Sequence, residues 1–199
     1  MKKLPMLPIL TILLCAAVLL AAAFGLNGIA AKRAQAEHLR LMQTVLPGST
    51  EFTLEPYTGE DATIRSVHKG QNGFVIETST YGYAGDITML IGVSTQGRVT
   101  GLVVQDMQET FGLGAQGLTD VEFLAQFLNG AGGFSVETGS PDTFSGATGT
   151  ATESDGDSVA VDAITGATVT SKAIARSVNA AVAYVTGADT ESAATSWGG

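Results

Sequence analysis

The chain opens on an unbroken apolar block. Lys2 and Lys3 are followed by residues 4–31, which carry no charged side chain, and about 20 apolar residues are what a helix needs to cross a bilayer. Pro5 and Pro8 fall in the first turns, where proline costs a helix least. The pattern predicts a transmembrane anchor over residues 1–30. The rival is a cleaved signal peptide, with a shorter apolar core ending at small residues such as Ala21–Ala23. Beyond it, Leu39, Met42, Val45 and Leu46 recur at helical spacing until Pro47-Gly48 stops the pattern. This predicts a juxtamembrane helix from Ala31 to Leu46, within a stem of residues 31–48.

From Thr63 to Asp106 the period becomes that of strands. "TIRSVHKG", "GFVIETST", "DITMLIGVS" and "RVTGLVVQD" are short β-rich runs, parted by turn residues at Gln71–Gly73, Tyr81–Gly85 and Gln96-Gly97. Such close spacing favours an antiparallel meander, because parallel strands need a dozen or more residues between them. "TDVEFLAQFLNG" then reads as a short helix capped by Thr119 or Asp120, with Phe123, Leu124, Phe127 and Leu128 toward the core. "FSVET" is a candidate strand. Residues Gly139–Ser158 are rich in Gly, Ser, Thr and Asp, bury too little to order themselves, and are expected to form a loop. "SVAVDAI" restores a strand. "TSKAIARSVNAAVAYVTG" follows as a helix with Ile174, Val178, Ala181, Val182 and Val185 on one face, capped by Thr170 or Ser171 and ended by Gly187. The expected fold class is α+β: an anchor, then one domain over residues 49–187 with a mainly antiparallel sheet and flanking helices. Residues 188–199 form a polar tail.

Charge narrows the partners. The chain carries a formal −9, and nearly all its acids lie beyond residue 40. Such a domain has no attraction for nucleic acid and is repelled by an anionic membrane surface. Basic residues flank the apolar block almost equally, with Lys2 and Lys3 before it and Lys32, Arg33 and Arg40 after, so charge alone leaves its orientation open. Cys15 is the single cysteine, which excludes a disulfide within one chain and any cysteine-built metal or iron–sulfur site. Leu14 before it is too large for the usual lipidated cysteine. His38 and His68 are isolated and read as solvated or loosely packed side chains. No nucleophile–base pair, carboxylate dyad or metal cluster stands out, so no catalytic or metal-binding residue is assigned.

One word occurs twice. "DTFSGATGT" at Asp142–Thr150 and "DAITGATVT" at Asp162–Thr170 both read Asp, two residues, Ser or Thr, Gly-Ala-Thr, one residue, Thr. The second joins a strand to a helix start. There Gly166 and Ala167 let a ligand approach the backbone, and the first helical N–H groups attract an anion. The first copy has no apolar strand before it and no periodic helix after it. It fails as a folded site.

"DAITGATVTSKAI" resembles the flavin-attachment motif of FMN-binding domains, those of the G subunit of Rnf-type complexes and of the C subunit of sodium-pumping NADH:quinone oxidoreductases. "VLPG" at the end of the stem helix, "GYAGDITMLIGVSTQGRVTGLVV" and "ETFGLGAQ" resemble further stretches of the same family, in the same order. The resemblance implies FMN joined by a phosphoester to Thr168, with Asp162, Thr165, Gly166 and Ala167 completing the motif read by a magnesium-dependent flavin transferase that uses FAD. It also implies that Glu109, Thr110, Gly112, Leu113 and Gly114 line the flavin, and it leaves Thr148 as a second candidate attachment point. Phe111 replaces the family's proline, and Met107 and Gln108 stand where a histidine often precedes, departures that bear on the flavin's surroundings. The implied function is a membrane-anchored, extracytoplasmic electron carrier in an Rnf-type ion-translocating complex coupling ferredoxin and NAD. Its partners would be the other membrane subunits. The alternatives are a stand-alone flavinylated electron-transfer protein, a protein like the C subunit of the quinone-reducing pump, or a non-redox surface module. Tyr81 and Tyr83 are expected to be packing residues.

Overall fold

The computed structural model describes residues 14–17, 30, 32–107, 120–131, 133–137, 153–154 and 158–187. The chain divides into two compact units, Met1–Arg40 and Leu41–Gly199. Most of the apolar block expected as an anchor lies outside the described residues, and among those described no helix is long and apolar enough to cross a membrane. Residues 32–45 are helical (α1), as the apolar spacing predicts, and Gly48 at φ +89° turns the chain out of the helix. The last residues of α1 belong to the second unit.

That unit is built on a five-stranded meander. β1 (Thr53–Glu55), β2 (Ile64–Lys69), β3 (Gly73–Tyr81), β4 (Asp86–Ser94) and β5 (Val99–Met107) lie side by side in chain order, each antiparallel to the next. The four runs read from the sequence correspond to β2–β5; β1 is too short for its pattern to register. Thr95–Gly97 connects β4 to β5, with Gly97 at φ +77° and its N–H donating to the Ser94 carbonyl at 2.9 Å. A left-handed third residue is what a three-residue hairpin loop needs, hence glycine.

A second, three-stranded sheet contains β6 (Gly133–Glu137), β7 (Glu153–Ser154) and β8 (Ser158–Asp162), ordered β6-β8-β7. β6 and β8 are parallel, while the other strand pairs among the described residues are antiparallel, as the expected mainly antiparallel sheet requires. The stretch between them is long enough for the crossover that parallel pairing requires. β7 falls within the segment expected to be loop; the remainder of that segment lies largely outside the described residues.

Two helices complete the domain. α2 (Val121–Ala125) starts at Asp120, whose carboxylate accepts from the Glu122 N–H at 2.9 Å and the Phe123 N–H at 3.3 Å. Phe123 and Phe127 are buried as expected, but Leu128 is 39% exposed, because the helix has given way to a turn that leaves Asn129 at φ +64°. α3 (Thr168–Thr186) ends at Gly187, left-handed at φ +69° with its N–H on the Ala183 carbonyl.

The core lies mostly between α3 and one face of the meander. Ile174, Val178, Ala181 and Val182 meet Ile76, Ile87, Met89, Ile91 and Val93, and Phe123, Phe127, Phe134 and Val161 extend the same cluster. Val185 packs against it half-buried. On the opposite face, Met42, Val45 and Leu46 cover Val75 and Leu90. Alternation along β3 explains this division: Ile76, Thr78 and Thr80 face α3, while Val75 faces away.

Candidate functional site

The repeated word's second copy forms a strand–turn–helix. β8 ends at Asp162, whose N–H donates to Gln126 Oε1 at 2.9 Å. The Ala163 N–H then bonds the Glu137 carbonyl at 3.0 Å. Ile164–Ala167 closes as a four-residue turn, the Ala167 N–H donating to the Ile164 carbonyl at 2.9 Å. Gly166 stands at φ +80° while Thr165 has no positive φ. A positive φ at the third position alone defines a type II turn and calls for glycine there. Thr168 follows as the first residue of α3.

The helix start has no side-chain cap: Ala167 supplies none. Helix geometry leaves the N–H groups of Thr168, Val169 and Thr170 without intrahelical acceptors, and the helix dipole adds partial positive charge there. Ser171, expected as a cap, turns the other way. Its hydroxyl accepts from the Ile164 N–H at 3.2 Å and donates to the Ala167 carbonyl at 3.0 Å. Thr170 is fully buried, and its hydroxyl has no partner among the described residues. An open helix start fits a phosphate group.

Packing sets where this helix start lies. Thr80 Oγ1 donates to the Ala173 carbonyl at 3.2 Å and lies 2.9 Å from Ser177 Oγ. At the other end of the helix, the Tyr184 ring meets Phe74 at 5.9 Å. α3 therefore runs antiparallel to β3, and Thr168 lies toward the end of the sheet where β3 finishes, β4 begins and β5 finishes, the register there pairing Tyr81 with Asp86 and Ile87 with Met107. The chain enters residues 108–119 from that end. A groove of about 560 Å³, lined by Leu102–Met107 and Leu124, leads along β5 to the same end. Tyr81 at the end of β3 and Tyr83 on the β3–β4 connection are 71% and 69% exposed, so they are not the packing residues expected from the sequence.

Of the site residues expected from sequence, the structure brings Asp162, Thr165, Gly166, Ala167 and Thr168 together in one short segment. Asp162, Thr165 and Gly166 are exposed, Thr168 is half-buried and Ala167 is buried. Glu109, Thr110, Gly112, Leu113, Gly114, Phe111 and Thr148 lie outside the described residues. Sequence reasoning missed the hydrogen bonds of Ser171, the buried state of Thr170 and the Thr80–Ser177 contact. The available signal was the recurrence of small hydroxyl residues on an otherwise apolar helix face.

Comparison with known proteins gives the family. The family model of the FMN-binding domain matches residues 82–183, from the β3–β4 connection into α3. The chain is 33% identical over 183 residues to the G subunit of an ion-translocating oxidoreductase complex of Methanosarcina acetivorans, covering 85% of this chain and 87% of that protein. It is also 31% identical over 113 residues to the G subunit of a Na(+)-translocating ferredoxin:NAD(+) oxidoreductase complex of Acetobacterium woodii, covering 55% of this chain and 47% of that one. The chain belongs to the FMN-binding domain family.

Proposed function

We propose that this protein is the FMN-carrying electron-transfer subunit, equivalent to the G subunit, of an ion-translocating ferredoxin:NAD oxidoreductase complex. The flavin is joined through its phosphate to Thr168, and the domain stands on the extracytoplasmic side of a membrane behind the apolar block of residues 1–30. The similarity to G subunits of two ion-translocating oxidoreductase complexes, one of them named for ferredoxin and NAD(+), supports the complex and its remaining subunits as partners. The observation that carries the attachment point is the uncapped start of α3 directly after the Ile164–Ala167 turn, with Thr168 as its first residue.

Each nearby residue has a defined task in this reading. The N–H groups of Thr168, Val169 and Thr170 hold the phosphate, a partly buried anion at a helix start gaining up to about 2 kcal/mol. Gly166 takes the left-handed conformation that lets the chain turn into the helix. Residues 109–114, which follow β5 in the chain, line the ring by family resemblance. Bound FMN supplies the one-electron chemistry, while the chain supplies tethering, orientation and electrostatics.

A flavin transferase makes the attachment. Co-expression with such an enzyme is expected to give in-gel flavin fluorescence to the wild type and to Thr148→Val, and to leave Thr168→Val nearly dark. Fluorescence that survives Thr168→Val but is lost in Thr148→Val would assign the attachment to the other copy of the motif.

A further inference from the structure

We infer that Ser171 is the positioning residue that makes residues 162–168 an acceptor for the flavin transferase; this rests on Thr168 being the attachment point. The Ser171 side chain is buried and used on both of its sides. Its oxygen accepts from the Ile164 N–H and donates to the Ala167 carbonyl. Those two residues are the ends of the type II turn, already joined by the Ala167 N–H to Ile164 carbonyl bond. The Ser171 N–H also bonds the Ala167 carbonyl at 2.9 Å. One residue therefore ties both ends of the turn to the first turn of α3, and Thr168 stands between the tied points.

The direction of these bonds matters. A serine used as an N-cap would accept from the free N–H groups of the helix and close them to an incoming phosphate. Ser171 accepts from the loop instead, so the turn is fixed while the N–H groups of Thr168–Thr170 are left for the anion. In the first copy of the motif the corresponding residue is Ala151. That copy has the acceptor threonine and the glycine but not the hydroxyl that would hold a turn in place.

During the transfer, Thr168 Oγ1 forms a bond to the FMN phosphorus of FAD. The bond from that phosphorus to the bridging oxygen breaks, AMP leaves with the bonding pair, and the threonine proton passes to the transferase or solvent. In-line displacement depends on where the attacking oxygen is held.

The test uses the purified full chain, the transferase, FAD and magnesium, with loading at Thr168 followed by peptide mass and in-gel fluorescence. Ser171→Ala is expected to slow loading about tenfold or more, since misplacing a reacting group by an ångström costs up to about a hundredfold. Ser177→Ala removes another buried hydroxyl from the same helix, the one beside Thr80, and is expected to load within about threefold of wild type, as it leaves the turn intact. Wild-type loading of Ser171→Ala overturns the inference, and so does a Ser177→Ala variant that is equally slow. Should Ser171→Ala not fold, Ser171→Cys keeps the side-chain shape, slightly enlarged, with only a weak hydrogen-bonding group, and its rate decides in the same way. A wild-type chain that never loads at Thr168 overturns the attachment reading as well. A wild type that loads while Ser171→Ala keeps pace overturns only the role of Ser171.

Discussion

Gly92 and Gly101 face each other across β4 and β5, and the end of α1 lies on them. A Cβ added at Gly92 would overlap the Val45 carbonyl oxygen, and one at Gly101 would come within 2.8 Å of Val45 Cα. Thr100 Oγ1 donates to that carbonyl at 2.6 Å, which satisfies a helix-end acceptor the missing side chains allow to approach. Gly92→Ala should therefore lower stability by about 1–3 kcal/mol, the usual cost of overpacking, read as a lower urea midpoint with an unchanged slope. An unaltered midpoint would mean that Val45 yields freely. Both glycines are visible in the strand runs of the sequence, but Val45, the residue that needs them, is remote in the chain and cannot be paired with them from pattern. The turn at Gly166 and the helix start at Thr168 were legible for the opposite reason: their whole context is one continuous word. Ser171 was recognised as a hydroxyl at a helix start, yet the atoms it bonds depend on a turn whose geometry only the structure supplies.

The elements followed the same division between local and distant information. β2 to β5 were legible because each is long, β-rich and bounded by turn residues. α3 was legible because its apolar spacing persists and Gly187 ends it. The parallel pairing of β6 with β8 was not, since it joins segments separated by a stretch without hydrophobic period. Beside the apolar contacts of Phe134 and Val161, one α3 side chain hydrogen-bonds the backbone of that second sheet. Asn179 Oδ1 accepts from the Phe134 N–H at 2.6 Å and Asn179 Nδ2 donates to the Phe134 carbonyl at 2.9 Å, so a helix residue satisfies both backbone groups at a sheet edge. Asn179→Ala leaves both without that partner and should cost about 1–3 kcal/mol. Amide exchange should localise the effect, with faster exchange at Phe134 while Ile91 in the meander keeps its protection under native conditions. Equal loss of protection at both would show that Asn179 supports the whole domain rather than this junction.

For the molecule as a whole, the acidic surface and the two-faced core set the response to conditions. The formal charge of −9 disfavours adding an electron to a bound flavin, an effect that added salt screens. At the end of α3 away from Thr168, Tyr184 packs edge-on to Tyr57 and Phe74. Burial raises its phenol above the ordinary value, and the nearby Glu55 carboxylate, through its charge and its hydrogen bond, raises it further. The folded state thus favours the neutral phenol. Its contribution is complete below the unfolded value of about 10 and is lost as pH rises through the higher folded value. Thermal unfolding followed from about pH 9 to 11 should show wild type losing Tm more steeply than Tyr184→Phe. Parallel curves would remove Tyr184 from the alkaline response.

The central claim, a flavin joined to the first residue of α3, is tested most directly by mass. After co-expression with a flavin transferase, the intact chain should gain about 438 Da, FMN less one water, and proteolysis should place that increment on the peptide holding Thr168. An unchanged mass, or an increment carried only by the peptide holding Thr148, would contradict it.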